Sequence, residues 1–184
     1  MLTDEKTRYD RPATVVVMGA ESTGKTTLTK ALAANYHTVW VEEFLRLFVE
    51  VKGDVPIESD VYTIAEGHLD LVVKMSPKAR QVLFLDTDLY TTCVYQRIYF
   101  DSCPTLIEHA AEQHQSGLYL FTEPDIPWVP DPGQRAGSKE RLHAHKLLRE
   151  EARRYSLNIV RIQGTHEHRL KTSIHAVNQY ISKI

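Results

Sequence analysis

The stretch Gly19-Ala20-Glu21-Ser22-Thr23-Gly24-Lys25-Thr26 constrains this chain more than any other. It fits G-x-x-x-x-G-K-[ST] at every defined position, and its neighbours are the ones the pattern needs. Thr14-Val15-Val16-Val17-Met18 before it is a β-branched run with no polar alternation, the mark of a strand buried on both faces. After it, Leu28, Ala31 and Leu32 recur at one-face helical spacing within residues 24–35. Strand, glycine loop and helix in that order turn backbone N–H groups inward around a phosphate and aim a helix N-terminus at it. The expected nucleotide contacts are Gly19, Glu21, Ser22, Thr23, Gly24, Lys25, Thr26 and Thr27. Lys25 is expected to reach the β- and γ-phosphates of a nucleoside triphosphate, and Thr26 to ligate Mg²⁺.

Four more short apolar runs follow. Residues 37–41 end at Glu42 and Glu43, 81–85 at Asp86-Thr87-Asp88, 117–122 at Glu123-Pro124-Asp125, and 158–162 at Gly164. Between them lie helical patterns: Val61, Ile64, Ala65, His68 and Val72; then Ala144, Leu148, Ala152 and Tyr155; then Leu170, Ile174, Val177 and Ile181. Strands alternating with helices predict an α/β domain: a five-stranded parallel sheet with helices on both faces. A length of 184 residues suits one such domain, residues 1–184, with a polar leader over 1–13. Residues 123–138 hold four of the eight prolines and two of the eight glycines. A loop this long in a compact domain is commonly functional, so a lid-like segment is expected over about 123–141.

A phosphate loop needs a second acid at the end of a neighbouring strand to hold the metal, and Leu83-Phe84-Leu85-Asp86 has that form. Asp88, two residues on, is expected to face the same crevice at the carboxyl ends of the strands; the alternative is that it caps a helix beginning near Leu89. Glu43 and Arg46, three apart, share one face if the chain turns helical there, where a carboxylate can orient or deprotonate a substrate hydroxyl. The alternative is a surface ion pair. The acid at the acceptor hydroxyl is Glu43, Asp86 or Asp88, with Glu43 preferred. Residues 42–70 carry eight acids and two bases, which suits a neutral or cationic acceptor. In residues 135–154 the balance reverses to seven bases against three acids, and Arg135 and Arg141 are the candidates for a guanidinium that closes on the transferred phosphoryl group. Trp128, flanked by prolines, is either a packing anchor or an aromatic plate.

A net charge of −2 gives no field to draw in nucleic acid or an anionic membrane, and no run approaches the roughly 20 apolar residues of a membrane span. Cys93 and Cys103 have no metal-site spacing and read as reduced thiols of a cytoplasmic protein. Nothing in the sequence bears on oligomeric state.

Taken together, these residues resemble the ribosylnicotinamide kinase domain of the NadR type, a P-loop kinase family. The carriers are Gly19 through Thr27, then Glu43-Phe44-Leu45-Arg46, then Asp86-Thr87-Asp88-Leu89-Tyr90-Thr91-Thr92, then Asp125-Ile126-Pro127-Trp128-Val129. The resemblance implies a nucleoside-kinase-like P-loop fold with a lid, and transfer of the γ-phosphate of ATP to the 5′-hydroxyl of nicotinamide riboside, giving the mononucleotide for NAD synthesis. It implies that Asp86 belongs to the metal shell, that Glu43, Arg46 and Asp88 face the riboside, and that Trp128 lies near its ring. Such chains tend to follow the Trp with x-x-Asp-Gly-x-Arg; here Val129-Pro130-Asp131-Pro132-Gly133-Gln134-Arg135 has one more proline, which keeps Arg135 and Arg141 both in view. Many relatives carry an adenylyltransferase domain upstream. With about 13 residues before the first strand, this chain is expected to stop at the mononucleotide. Its rivals are a kinase for another nucleoside or small alcohol, and a regulatory switch that binds ATP and hydrolyses it slowly.

Overall fold

The structure, a computed structural model, describes residues 12–128 and 138–184. Its first strand, β1 (Ala13–Met18), sits in the middle of a five-stranded sheet and pairs in parallel with β3 (Val82–Asp86) on one side and β4 (Leu118–Thr122) on the other. β2 (Trp40–Val41) extends the sheet beyond β3, and β5 (Ile159–Ile162) beyond β4, giving the order β2-β3-β1-β4-β5 with every pairing parallel. Crossover helices make this order possible: α1 (Lys25–Asn35), α2 (Phe44–Lys52), α3 (Asp60–Met75), α4 (Leu89–Phe100), α5 (Thr105–Gln113) and α6 (Ser138–Arg154), while α7 (His166–Ile181) follows β5. The expected parallel α/β sheet with helices on both faces is the observed one.

Strand periodicity divides the core in two. Val16 and Met18 point to the face covered by α3, α4, α5 and α6, where they join Leu83, Leu85, Tyr119 and Phe121. Val15 and Val17 point to the other face, with Val82, Phe84, Leu118 and Leu120 against Leu28 and Leu32 of α1 and Val177 of α7. Because both faces are covered, the central strands carry no polar alternation, as the sequence indicates.

Two elements differ from the expectations, and a third, α2, packs loosely. β2 is two residues long because His37 takes a left-handed conformation (φ +49°) to close α1, and the Thr38 hydroxyl donates to the Val82 carbonyl, which leaves Trp40 and Val41 for the sheet edge. α5 has no counterpart in the periodicity reading: only Ile107 and Ala111 are buried, too short a stripe to stand out. α2 buries no residue fully. It rests on α3, where the Phe44 ring occupies the space a side chain at Gly67 would fill. Its apolar face is therefore free to wall a cavity.

β1 is the point at which strand order reverses, with β3 drawn to one side and β4 to the other. Parallel sheets bind ligands outside the carboxyl ends of the strands at such a point. The glycine loop emerges there.

Candidate active site

The loop from Gly19 to Gly24 closes against the end of β4. A side chain at Gly19 would sit 2.2 Å from the Thr122 hydroxyl, so only glycine fits, and Gly24 (φ +80°) enters α1 in a left-handed conformation. Thr23 holds the loop in shape: its hydroxyl donates to the Ala20 carbonyl at 2.8 Å and pairs with the Thr122 hydroxyl at 2.7 Å, which reaches the Met18 carbonyl at 3.2 Å. The first turn of α1 has no acidic residue, so its N–H groups are free to attract an anion. The Lys25 ammonium donates to the Ala20 carbonyl at 2.9 Å, folded over the loop it is expected to serve. Thr27 is exposed on α1.

Thr26 and Asp86 meet as expected. The Thr26 hydroxyl donates to Asp86 Oδ2 at 2.5 Å, although the residues are 60 positions apart. Asp86 is 1% exposed, and its Oδ1 has no hydrogen-bond partner among the described residues. Burial pushes its carboxyl above the usual range, against the pull of Lys25 and the Thr26 hydroxyl. A hydroxyl, a carboxylate oxygen and an orphaned buried oxygen form a hard-oxygen set, which fits Mg²⁺, a cation that keeps most of its waters and takes one or two protein ligands. Among the described residues no cluster of three or more His, Cys, Asp or Glu competes for it.

A cavity of about 450 Å³ opens beside this point, walled by α2, α3 and α4. Glu21 and Lys25 stand at its phosphate-loop end, with Glu43 and Arg46 at the start of α2. Glu43 precedes α2, and its carboxylate lies 3.9 Å from the Arg46 guanidinium; both residues line the cavity, so the expected pair is formed at the site. The far walls are apolar and aromatic: Phe44 and Val49 of α2, Ile64 of α3, and Tyr95, Tyr99 and Phe100 of α4. Tyr95 and Tyr99 stack at 6.1 Å with their planes 24° apart. Sequence reading missed these tyrosines. Their i, i+4 spacing is the available signal, but in a helix apolar on most sides the same spacing also marks a core face.

Asp88 is placed elsewhere. Thr87 adopts a left-handed conformation (φ +70°) that a β-branched residue rarely takes, and this breaks the strand alternation that would have set Asp88 beside Asp86. The Asp88 carboxylate instead accepts from the Thr91 backbone N–H at 3.2 Å as the N-cap of α4, and from the Tyr119 hydroxyl. It lines a second cavity of about 180 Å³, with His68, His114 and Gln115, and not the larger one. Burial raises its carboxyl to about 6, against those hydrogen bonds.

On the lid side, Arg141 is 4% exposed on α6; it donates to the Ile126 carbonyl at 3.0 Å, and its Nε has no partner among the described residues. Ile126 approaches Gly24, so this segment lies against the phosphate loop. Trp128 is half-buried and is not among the residues lining either cavity. Arg135, with residues 129–137 of the expected lid, falls outside the described residues.

One guanidinium that sequence reading passed over joins these parts. Arg169, 4% exposed on α7, donates to the carbonyls of Gly164 (2.9 Å), Thr23 (2.9 Å) and Glu123 (3.0 Å) and to the Asp125 carboxylate. It ties the phosphate loop to the ends of β4 and β5. Sequence offered no signal, because a basic residue next to Leu170 on an amphipathic helix looks solvated.

With this geometry in view, the comparisons with known proteins agree with it. The chain is 30% identical over 155 residues to the trifunctional NAD biosynthesis/regulator protein NadR of Escherichia coli (strain K12), an alignment covering 82% of this chain and 38% of that protein. The structure is similar to that of a NadR protein in complex with NR, with a TM-score of 0.83 and 26% identity over 93% of this chain and 52% of the other. It is also similar to a NadR protein in complex with NAD and AMP-PNP, with a TM-score of 0.76 and 25% identity over 93% of this chain and 50% of the other. The chain thus spans only about two fifths to a half of the length of these NadR proteins. The AAA domain family matches residues 14–169, which take in the phosphate loop, Asp86 and Arg169, and the chain belongs to that family.

Proposed function

We propose that the protein is an ATP-dependent kinase that phosphorylates the 5′-hydroxyl of nicotinamide riboside, giving nicotinamide mononucleotide. The observation that carries this reading is the cavity beside Lys25, Thr26 and Asp86. It offers an acceptor a carboxylate-rich mouth and an aromatic wall, and the similarity to a NadR protein in complex with NR supplies the acceptor's identity. A cationic pyridinium is favoured both by the faces of Tyr95, Tyr99 and Phe44 and by Glu21, Glu43 and Glu50 of the lining. The proline-flanked Trp128 is the other candidate for the ring.

Catalysis by such a site is positioning and charge stabilisation. The loop N–H groups and the α1 N-terminus hold the phosphates of ATP, and Lys25 leaves the Ala20 carbonyl to neutralise charge on the transferred group. Thr26 and Asp86 would hold Mg²⁺, which when bound offsets charge on the phosphate oxygens. Glu43, at the cavity mouth, orients the acceptor hydroxyl and takes its proton, and Arg46 fixes the Glu43 carboxylate. Arg141 or Arg135 supplies the guanidinium of the lid. Asp88 acts as a cap to α4 and takes no part in transfer. The two free thiols suit a cytoplasmic setting. Among the described residues no helix is long and apolar enough to cross a membrane.

The test is ADP release from MgATP with nicotinamide riboside, adenosine, cytidine or uridine, and without acceptor. Stimulation by nicotinamide riboside alone, with the mononucleotide as product, is expected. Stimulation by another nucleoside moves the acceptor, and stimulation by none turns the reading to a regulatory ATPase.

A further inference from the structure

Two buried polar atoms at the phosphate-loop end of the larger cavity have no hydrogen-bond partner among the described residues: Glu21 Oε2 and the Tyr95 hydroxyl. They belong to one place. Tyr95 lies among Glu21 and Glu43, its hydroxyl directed at the Glu21 carboxylate and kept protonated by burial and by both carboxylates, and Glu21 and Tyr95 both line the cavity. Glu21 is 6% exposed, and Arg141, the guanidinium that feels its charge, is bonded to the Ile126 carbonyl instead.

A carboxylate on a phosphate-binding loop is costly if it faces the phosphates, because like charges repel. Here it lies beside Tyr95 of α4 and lines the cavity, so its service is to the acceptor. The pair also selects for chemistry. A phosphate or carboxylate on the ligand would be repelled by Glu21, and an apolar group would leave the buried Glu21 carboxylate and Tyr95 hydroxyl with no partner but each other. An alcohol satisfies both: it donates its proton to Glu21 Oε2 and accepts one from Tyr95.

We infer that Glu21 and Tyr95 together bind a secondary hydroxyl of the acceptor's sugar, so that a side chain of the phosphate loop selects ribosides over deoxyribosides. This rests on the larger cavity being the acceptor site. The reacting 5′-hydroxyl is held separately, near Lys25 and Glu43.

The experiment measures KM for nicotinamide riboside and for its 2′-deoxy and 3′-deoxy forms with the unchanged protein, Glu21→Gln and Tyr95→Phe. Tyr95→Phe removes one oxygen and keeps the ring stack on Tyr99, so it guards against a folding defect in the other variant. Each substitution is expected to raise KM for the riboside roughly tenfold or more, as loss of a charge-assisted hydrogen bond does, with KM for ATP within twofold. One deoxy form shows a similar rise with the unchanged protein, and neither substitution adds to it. Equal effects on riboside and deoxyribosides would mean that Tyr95 only relaxes onto Glu21, and would overturn the inference. So would a loss confined to kcat, or a matching rise in KM for ATP. If the unchanged protein phosphorylates no riboside, the proposed function falls and the contact with it; riboside turnover without deoxy discrimination removes the contact alone.

Discussion

Replacing Asp88 by asparagine separates a helix cap from a catalytic acid, and the structure sets the size of the effect. The Asp88 carboxyl is fully enclosed, and burial raises it to about 6 from an ordinary 3.8. Between about pH 4 and 6 the folded protein therefore keeps a proton that the unfolded chain has released, so folding loses stability as pH rises through that window. A difference of about two pH units corresponds to roughly 3 kcal/mol, present in full above pH 6. Asparagine keeps an oxygen for the Thr91 N–H and removes the charge. Asp88→Asn should thus gain on the unchanged protein by about 2–3 kcal/mol between pH 4 and 7.5 in urea unfolding. His68, in the same cavity, is held neutral down to about 4 by burial and contributes with the opposite sign: its stabilisation is lost as pH falls from 6.5 through 4. That contribution is common to both proteins and cancels in the difference. A gap between them that does not change with pH would refute the burial argument. The same variant should keep kcat/KM for the acceptor within about threefold, and a hundredfold loss would return Asp88 to the reacting atoms.

Three further outcomes follow from the geometry. Lys25→Met should lower kcat on the order of 10²-fold or more with little change in melting temperature, since among the described residues the ammonium bonds only the Ala20 carbonyl; near-normal turnover would remove the loop from the mechanism. Arg169→Lys should raise KM for ATP about tenfold while leaving KM for the acceptor nearly unchanged, because a single ammonium cannot hold Thr23, Glu123 and Gly164 at once; equal shifts in both would make Arg169 a fold residue only. Comparing Trp128→Ala with Tyr99→Ala by acceptor KM decides which ring meets the pyridinium: the larger rise is expected for Tyr99, which lines the cavity, and the reverse order would assign the plate to Trp128.

What the sequence disclosed and what it hid have physical causes. The phosphate loop was legible because backbone conformation itself demands its residues: Gly19 has no room for a side chain, and Lys25 and Thr26 follow at fixed helical positions. Asp86 was legible because it ends a run buried on both faces, where an acid has no structural excuse. Asp88 was misplaced by a single dihedral, since the strand period that sets Asp86 beside Thr26 stops at Thr87, and a left-handed threonine leaves no trace in composition. Arg169, Tyr95 and Tyr99 were hidden for the opposite reason: their local sequence is ordinary, and only long-range packing brings Arg169 to Thr23, 146 residues away, or Tyr95 to Glu21. Local demands on backbone and burial show in a sequence, whereas meetings across the fold do not. In this chain the phosphate-binding half of the site is of the first kind, and most of the acceptor-binding half is of the second. Substitutions in α4 should therefore change acceptor choice while leaving a sequence that still reads as the same ATP-binding protein.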